Sequence, residues 1–262
     1  MKNCTKTVNS MSNDGRNILL IVEGEKAEVR LFEKILSLFP EIKLNPNNIL
    51  VYNTNIWVLN KSLEDAFGTN WYNSKDIEFL EFIESKFPEI KGKKITDTFL
   101  VFDYERQDFR FCGDKLEKMC QFFNDSVENG KLYINYPMIE SYKHFKCSEF
   151  PDNDYKDRIC KVEDIAVYKN TVGQETKHQD IRKFSRAMFQ QITIHNIKKS
   201  SFIVSNKYDL NDSEILDYCE YIDLQEIAKM QNVHSSGAEQ FIYVLCTCLF
   251  FISDYNRNLL YD

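Results

Sequence analysis

Glycine and proline are scarce in this chain of 262 residues, at 8 and 5. A composition of that kind excludes collagen-like, loop-rich and disordered classes. Neither G-x-x-x-x-G-K-[ST] nor G-x-G-x-x-G occurs, so a P-loop and a dinucleotide-binding turn are both unsupported. The eight cysteines form no C-x-x-C pair. Cys246 and Cys248 fall inside the most apolar stretch, Phe241–Ile252, and read as buried structural thiols. That stretch is too short to span a bilayer and reads as a core helix, so no membrane association is expected. The first 17 residues are polar and show no secretory signal, and a reducing, cytoplasmic setting is expected. The net charge of −7 weighs against a surface that binds nucleic acid broadly, while leaving room for a local basic groove.

Present instead are ordinary apolar content, 43%, and abundant aromatics, 20 Phe and 14 Tyr, enough for a substantial core. Residues 1–16 are rich in Lys, Asn, Ser and Thr and read as a tail. Apolar runs at Ile18–Val22, Ile49–Tyr52, Phe99–Phe102 and Leu132–Asn135 read as strands. Helical spacing follows at Glu25–Phe39, Asp76–Phe87 and Gly113–Val127. Residues 53–74 read as an irregular insertion packed through Trp57, Trp71 and Tyr72. Strands alternating with helices predict a Rossmann-type α/β fold with a mostly parallel four-stranded sheet flanked by helices. The alternation stops near residue 147, and the polar stretch 147–157 marks a boundary. The division is therefore a tail (1–16), an α/β domain (17–150) and a mainly helical C-terminal region (151–262). The best helical candidates in that region are 177–199, 213–231 and 237–259. Arg182, Lys183 and Arg186 fall on the first of these and read as a wet helix face.

Two of the apolar runs end abruptly in carboxylates. Residues 17–28 read NILLIVEGEKAE and residues 98–108 read TFLVFDYERQD. In an open parallel sheet, ligands bind outside the carboxyl ends of the strands. If the two strands are neighbours, Glu23, Asp103 and Glu105 converge on one edge. Acids held together repel unless a proton or a divalent cation neutralises them, and a hard cation such as Mg²⁺ favours oxygen ligands of this kind. Asp108, five residues after Asp103, offers a further oxygen. Each acid also has a plainer reading. Glu23 suits the start of a helix, Glu105 and Asp108 suit loop pairs with Arg106 or Arg110, and Glu140 suits a surface pair with Lys143.

A strand-end E-G followed one layer later by a strand-end D-x-E resembles the Toprim fold of topoisomerases, primases and OLD-type nucleases. Glu23-Gly24-Glu25-Lys26-Ala27-Glu28 is closer still to the E-G-E-K-T-E motif of the RloB-like branch. Asn135-Tyr136-Pro137-Met138-Ile139-Glu140-Ser141-Tyr142-Lys143-His144-Phe145 looks like a counterpart of that branch's later N-P-x-x-E-x-W…H-F motif, with one extra residue and no tryptophan. The second motif also departs from D-x-D, since Glu105 stands at its last position. The resemblance covers about the first 150 residues and implies a Mg²⁺-dependent nuclease, with Mn²⁺ as a substitute. In that reading the metal ligands come from Glu23, Glu28, Asp103, Glu105 and Asp108, and Glu23, Glu140, Lys143 and His144 take catalytic parts. The resemblance further implies a nucleic-acid substrate, DNA or RNA, and a separate ABC- or AAA-type ATPase as partner, in a bacterial defence system against phage. The rival expectation is a Toprim-like scaffold without catalysis that binds the ATPase or nucleic acid.

Overall fold

Five apolar residues with no polar interruption, Ile18–Val22, form strand β1 and are buried along their whole length. Only a strand covered on both faces tolerates such a run. The computed structural model describes residues 15–152 and 154–262, so residues 1–14 of the tail lie outside the described residues. Helix α1 (Ala27–Leu38) follows β1 and buries Leu31, Phe32 and Ile35. Strand β2 (Ile49–Val51), helices α2 (Ile56–Phe67) and α3 (Phe79–Lys86), and strand β3 (Asp97–Asp103) come next. Helix α4 (Gly113–Phe122), the short β4 (Asn124–Asp125) and β5 (Gly130–Tyr136) complete the first half.

Strands β2, β1, β3 and β5 lie side by side in that order and are all parallel. This is the parallel core expected from the alternation of strands and helices. The sheet is larger than four strands, because β4 adds an antiparallel edge to β5. The insertion at 53–74 is also more regular than its composition suggests. The Asn55 side chain accepts hydrogen bonds from the backbone N–H groups of Trp57 and Val58, starting α2, and Gly68 ends it at φ 91°. An Asn N-cap followed by Ile56, Leu59 and Leu63 was a readable helix signal. Trp57 and Trp71 are buried, so the insertion packs through its aromatics.

The C-terminal half contains β6 (Ile159–Lys161), α5 (Tyr168–Glu175), α6 (Arg186–Ser205), α7 (Asp212–Cys219) and α8 (Leu224–Ser236). The continuous helix expected over 237–259 is not formed. Its residues make β7 (Phe241–Tyr243), β8 (Leu245–Cys246), a 3₁₀ turn (Thr247–Leu249) and α9 (Phe250–Asn256). Tertiary pairing overrides helical spacing here: β7 pairs with β6, and β8 pairs antiparallel with Asn135 and Tyr136 of β5. Asn135 holds this arrangement, its Oδ1 accepting from the Cys248 N–H at 3.3 Å. Residues 151–262 thus share the sheet and the core of the first half. Phe251 packs edge-on against Phe32 of α1 at 5.6 Å and against Phe99 of β3 at 5.0 Å.

A fragment comprising residues 17–150 should therefore lack a cooperative thermal transition, because it uncovers the side chains that Leu245, Cys246 and Phe251 bury. Calorimetry on that fragment checks this, and a sharp transition near that of the full chain would contradict it.

Candidate metal centre

The β1–β3 register places Val22 beside Val101, so both strands end at the same rim. The Glu23 N–H continues the ladder by donating to the Val101 carbonyl at 3.1 Å. The next ladder donor, the Asp103 N–H, goes instead to the Glu23 carboxylate, Oε2, at 3.0 Å. This side-chain capture fixes one carboxyl over the end of the neighbouring strand. Alternate residues of a strand share a face. Asp103 therefore lies with Phe99 and Val101 on the side covered by α1 and α9, while Tyr104 turns to the other side. The Tyr104 hydroxyl donates to Asn232 Oδ1 at 2.6 Å on α8 and meets Ser235 at 2.9 Å. The D-Y-E segment is thus anchored in the middle by its buried tyrosine. Glu105, at φ 47°, turns the chain over the rim.

Glu23, Asp103 and Glu105 each offer an oxygen, and the three oxygens lie within 4.8 Å of one another. At an effective dielectric constant of about 20, two full charges that close repel by at least about 3 kcal/mol. Three such pairs cost roughly 10 kcal/mol, the scale of a whole domain's stability. All three cannot be ionised and uncompensated. The proton affinities reflect this. Burial pushes the Glu23 carboxyl up to about 8, with Glu105 and Glu28 adding to the rise against the Asp103 N–H. Burial followed by the charges of Glu23, Glu28, Glu140 and Glu105 drives Asp103 far above the usual carboxylate range. Glu105 is raised by burial and then by Asp108. Among the described residues, no Lys or Arg lies within salt-bridge distance of these three carboxylates. Asp103 Oδ1 is enclosed and has no hydrogen-bond partner. A buried acceptor left in that state costs about 1–3 kcal/mol unless something fills the place. A hard divalent cation fits the donor set, which consists of carboxylate oxygens alone.

Two more acids stand close behind. Glu28, on α1, is buried and raised by burial and by Glu140. Gly24 leaves the room for it, since a Cβ there would sit 3.1 Å from Glu28 Oε2. Glu140, in a 3₁₀ turn (Ile139–Lys143) after β5, is buried and paired through Oε1 with Lys169 Nζ at 2.7 Å. Glu28 and Glu140 both act on Asp103. The rim thus gathers Glu23, Glu28, Asp103, Glu105 and Glu140.

The remaining candidates are placed elsewhere. Asp108 is tied to Arg110 at 2.6 Å and to Asn55 at 2.9 Å, which holds it ionised well below the usual range. It is a loop clamp outside the triad. His144 is buried, with Nδ1 2.9 Å from the Tyr168 hydroxyl and Nε2 2.9 Å from Glu175. Burial lowers it to about 4. Both ring nitrogens are engaged, so this imidazole joins α5 to the preceding turn and has no free nitrogen for a substrate. Lys143 leaves the acid rim and lies along a neighbouring cleft with Tyr142. Arg182, Lys183 and Arg186 do not share a helix, because α6 begins at Arg186. Sequence reasoning missed Lys169. It lies on α5, which the chain brings back to the rim only after the boundary read at 150, and no local pattern announced it.

The Glu23 proton has a measurable consequence. Between pH 4.5 and about 8 the folded chain holds a proton that the unfolded chain has released. Stability therefore falls as pH rises through that window. Glu23→Gln keeps an acceptor for the Asp103 N–H and removes the charge. In EDTA at pH 8 it should stabilise the protein by on the order of 2 kcal/mol, roughly 4–8 °C in Tm, with no gain at pH 4. Equal melting temperatures at pH 8 would contradict the crowding of charge at the rim. No protein-family model, curated protein or solved structure matches the chain.

Proposed function

We propose that the chain is a Mg²⁺-dependent hydrolase of nucleic-acid phosphodiester bonds, of Toprim type. The observation that carries this is the triad Glu23, Asp103 and Glu105 at the carboxyl edge of a parallel sheet, with Asp103 Oδ1 enclosed and unpartnered. The parallel sheet, with its two acid-ended strands side by side, is compatible with that reading. Magnesium bound there would orient the scissile phosphate, acidify the attacking water and offset charge on the leaving oxygen.

The chain's own residues divide the remaining work. Glu23 is oriented by the Asp103 N–H through Oε2, which leaves Oε1 for a ligand. Glu28 has a raised proton affinity and stands next to the triad, which suits it to accept a proton from the attacking water. Lys169 is 70% exposed, is held at the rim by Glu140, and feels the charges of Glu28 and Asp103. It supplies the positive charge for a phosphate oxygen that the sequence reading gave to Lys143 or His144. Lys143 remains available for a phosphate at the cleft.

Asp103→Asn and Glu23→Gln should each reduce Mg²⁺-dependent cleavage of an oligonucleotide by at least 100-fold, a loss of about 3 kcal/mol in transition-state stabilisation. Both should melt no lower than the parent. Asp108→Asn should retain cleavage within about tenfold, because its carboxylate serves Arg110 and Asn55. Gel assays with labelled DNA and RNA decide this. Undiminished cleavage by both triad variants would remove the catalytic assignment. Calorimetric titration with Mn²⁺ that shows no binding to the parent would favour the non-catalytic scaffold.

A further inference from the structure

Beside the acid rim lies a cleft of about 880 Å³, bounded by α1, the 3₁₀ turn at 139–143 and residues 179–182. Lys26, Arg30, Lys34, Lys143, Lys169 and Arg182 line it. In a chain of net charge −7 this is a local reversal of sign. The pattern on α1 is regular. Lys26, just before the helix, Arg30 and Lys34 recur every four residues and so fall on one face. At about 1.5 Å per residue they span roughly 12 Å, room for several successive phosphates of one strand.

Four of these six cations are not consumed by neighbours. Among the described residues, Lys26, Arg30, Lys34 and Lys143 have no carboxylate within 4.0 Å, and Lys34 meets only the Arg182 carbonyl, at 3.2 Å. Two of the acids in the cleft wall are already neutralised, Glu140 by Lys169 and Asp180 by Arg182 at 2.8 Å. Glu33, on α1 beside them, is the one acid of the cleft wall without such a pair. Cations held at helical spacing and left without counter-ions mark a place where an anion is expected, and their regularity suits a polymer of evenly spaced anions. The cleft also runs into the acid rim, since Glu140 and Lys169 belong to both.

We propose that this cleft carries the sugar–phosphate backbone of a nucleic-acid strand on one side of the scissile bond, with Lys26, Arg30 and Lys34 each facing a phosphate. The inference rests on the hydrolase reading for its direction of approach and adds the surface that grips the substrate. No base-specific contact is implied, so the grip is expected to be indifferent to sequence and steeply dependent on salt.

The test is binding without cleavage. Fluorescence anisotropy with labelled 12-nucleotide single strands of DNA and of RNA, in EDTA across 25–200 mM salt, compares the parent with Lys26→Gln/Arg30→Gln/Lys34→Gln. Lys183→Gln, an exposed charge outside the cleft, is the control. The triple variant should bind at least tenfold more weakly at the lowest salt. Its slope of log K against log salt should be shallower by about 2, from three contacts at roughly 0.7 each. The control should match the parent, and the triple variant's melting temperature should stay close to the parent's, because Lys26 and Arg30 are exposed and Lys34 is half-buried. The DNA and RNA arms show which strand the cleft prefers. An unchanged slope in the triple variant, or no salt-dependent binding by the parent, overturns the proposal. The outcome is separable from catalysis. A lost slope without any Mg²⁺-dependent cleavage by the parent keeps the cleft and removes the hydrolase, whereas triad-dependent cleavage with an unchanged slope removes the cleft alone.

Discussion

The crowding of carboxyl groups at the carboxyl edge of β1 and β3 is the constraint around which this molecule is arranged. Five carboxylates gather there, and Lys169 is the one cation among the described residues in direct contact with any of them. Folding places them together through features that serve no other evident end. The Glu23 side chain takes a ladder hydrogen bond that backbone would normally accept. Gly24 withholds a Cβ from the path of Glu28. Apolar packing of α1 and α9 against the sheet supplies the stability that the crowded acids subtract. Proteins keep such a cost where a ligand repays it.

The C-terminal half takes part in this arrangement. Through Asn232, α8 receives the Tyr104 hydroxyl and also donates to the Gly113 carbonyl at 3.1 Å, tying the acid loop to α4. The short β8 pairs with the carboxyl end of β5, and α5 returns Lys169 to the rim. Asn135 and His144, which motif comparison places near chemistry, prove to be joints between the halves. Both are buried and tied to neighbours, Asn135 through its Oδ1 and His144 through both nitrogens.

What the sequence disclosed follows from how local each signal was. The core strands were legible because Ile18–Val22 and Phe99–Phe102 are continuous apolar runs, and a carboxylate directly after each run is an anomaly that burial makes costly. Glu23 and Asp103 were therefore visible, and their pairing needed only that the strands be neighbours. The α2 helix was overlooked although Asn55 and the 56/59/63 spacing announced it, because the surrounding Asn and Gly residues suggested a loop. Residues 237–259 were read as one helix because short strands buried on all sides carry no period that distinguishes them from a core helix. Lys169 was invisible, since its place depends on contacts 29 positions away at Glu140, and no short-range rule reports such a return. The Lys26, Arg30 and Lys34 stripe was legible in spacing. It acquires meaning only beside a cleft and without acid partners, and both of those are tertiary facts.

The central claim is that the rim is shaped for a divalent cation. A crystal soaked in Mn²⁺ and measured at the manganese edge tests it most directly. The account predicts one anomalous peak with oxygens of Glu23, Asp103 and Glu105 at about 2.0–2.6 Å, one of them Asp103 Oδ1. Density without metal, in which those carboxyls share protons with one another, would contradict it.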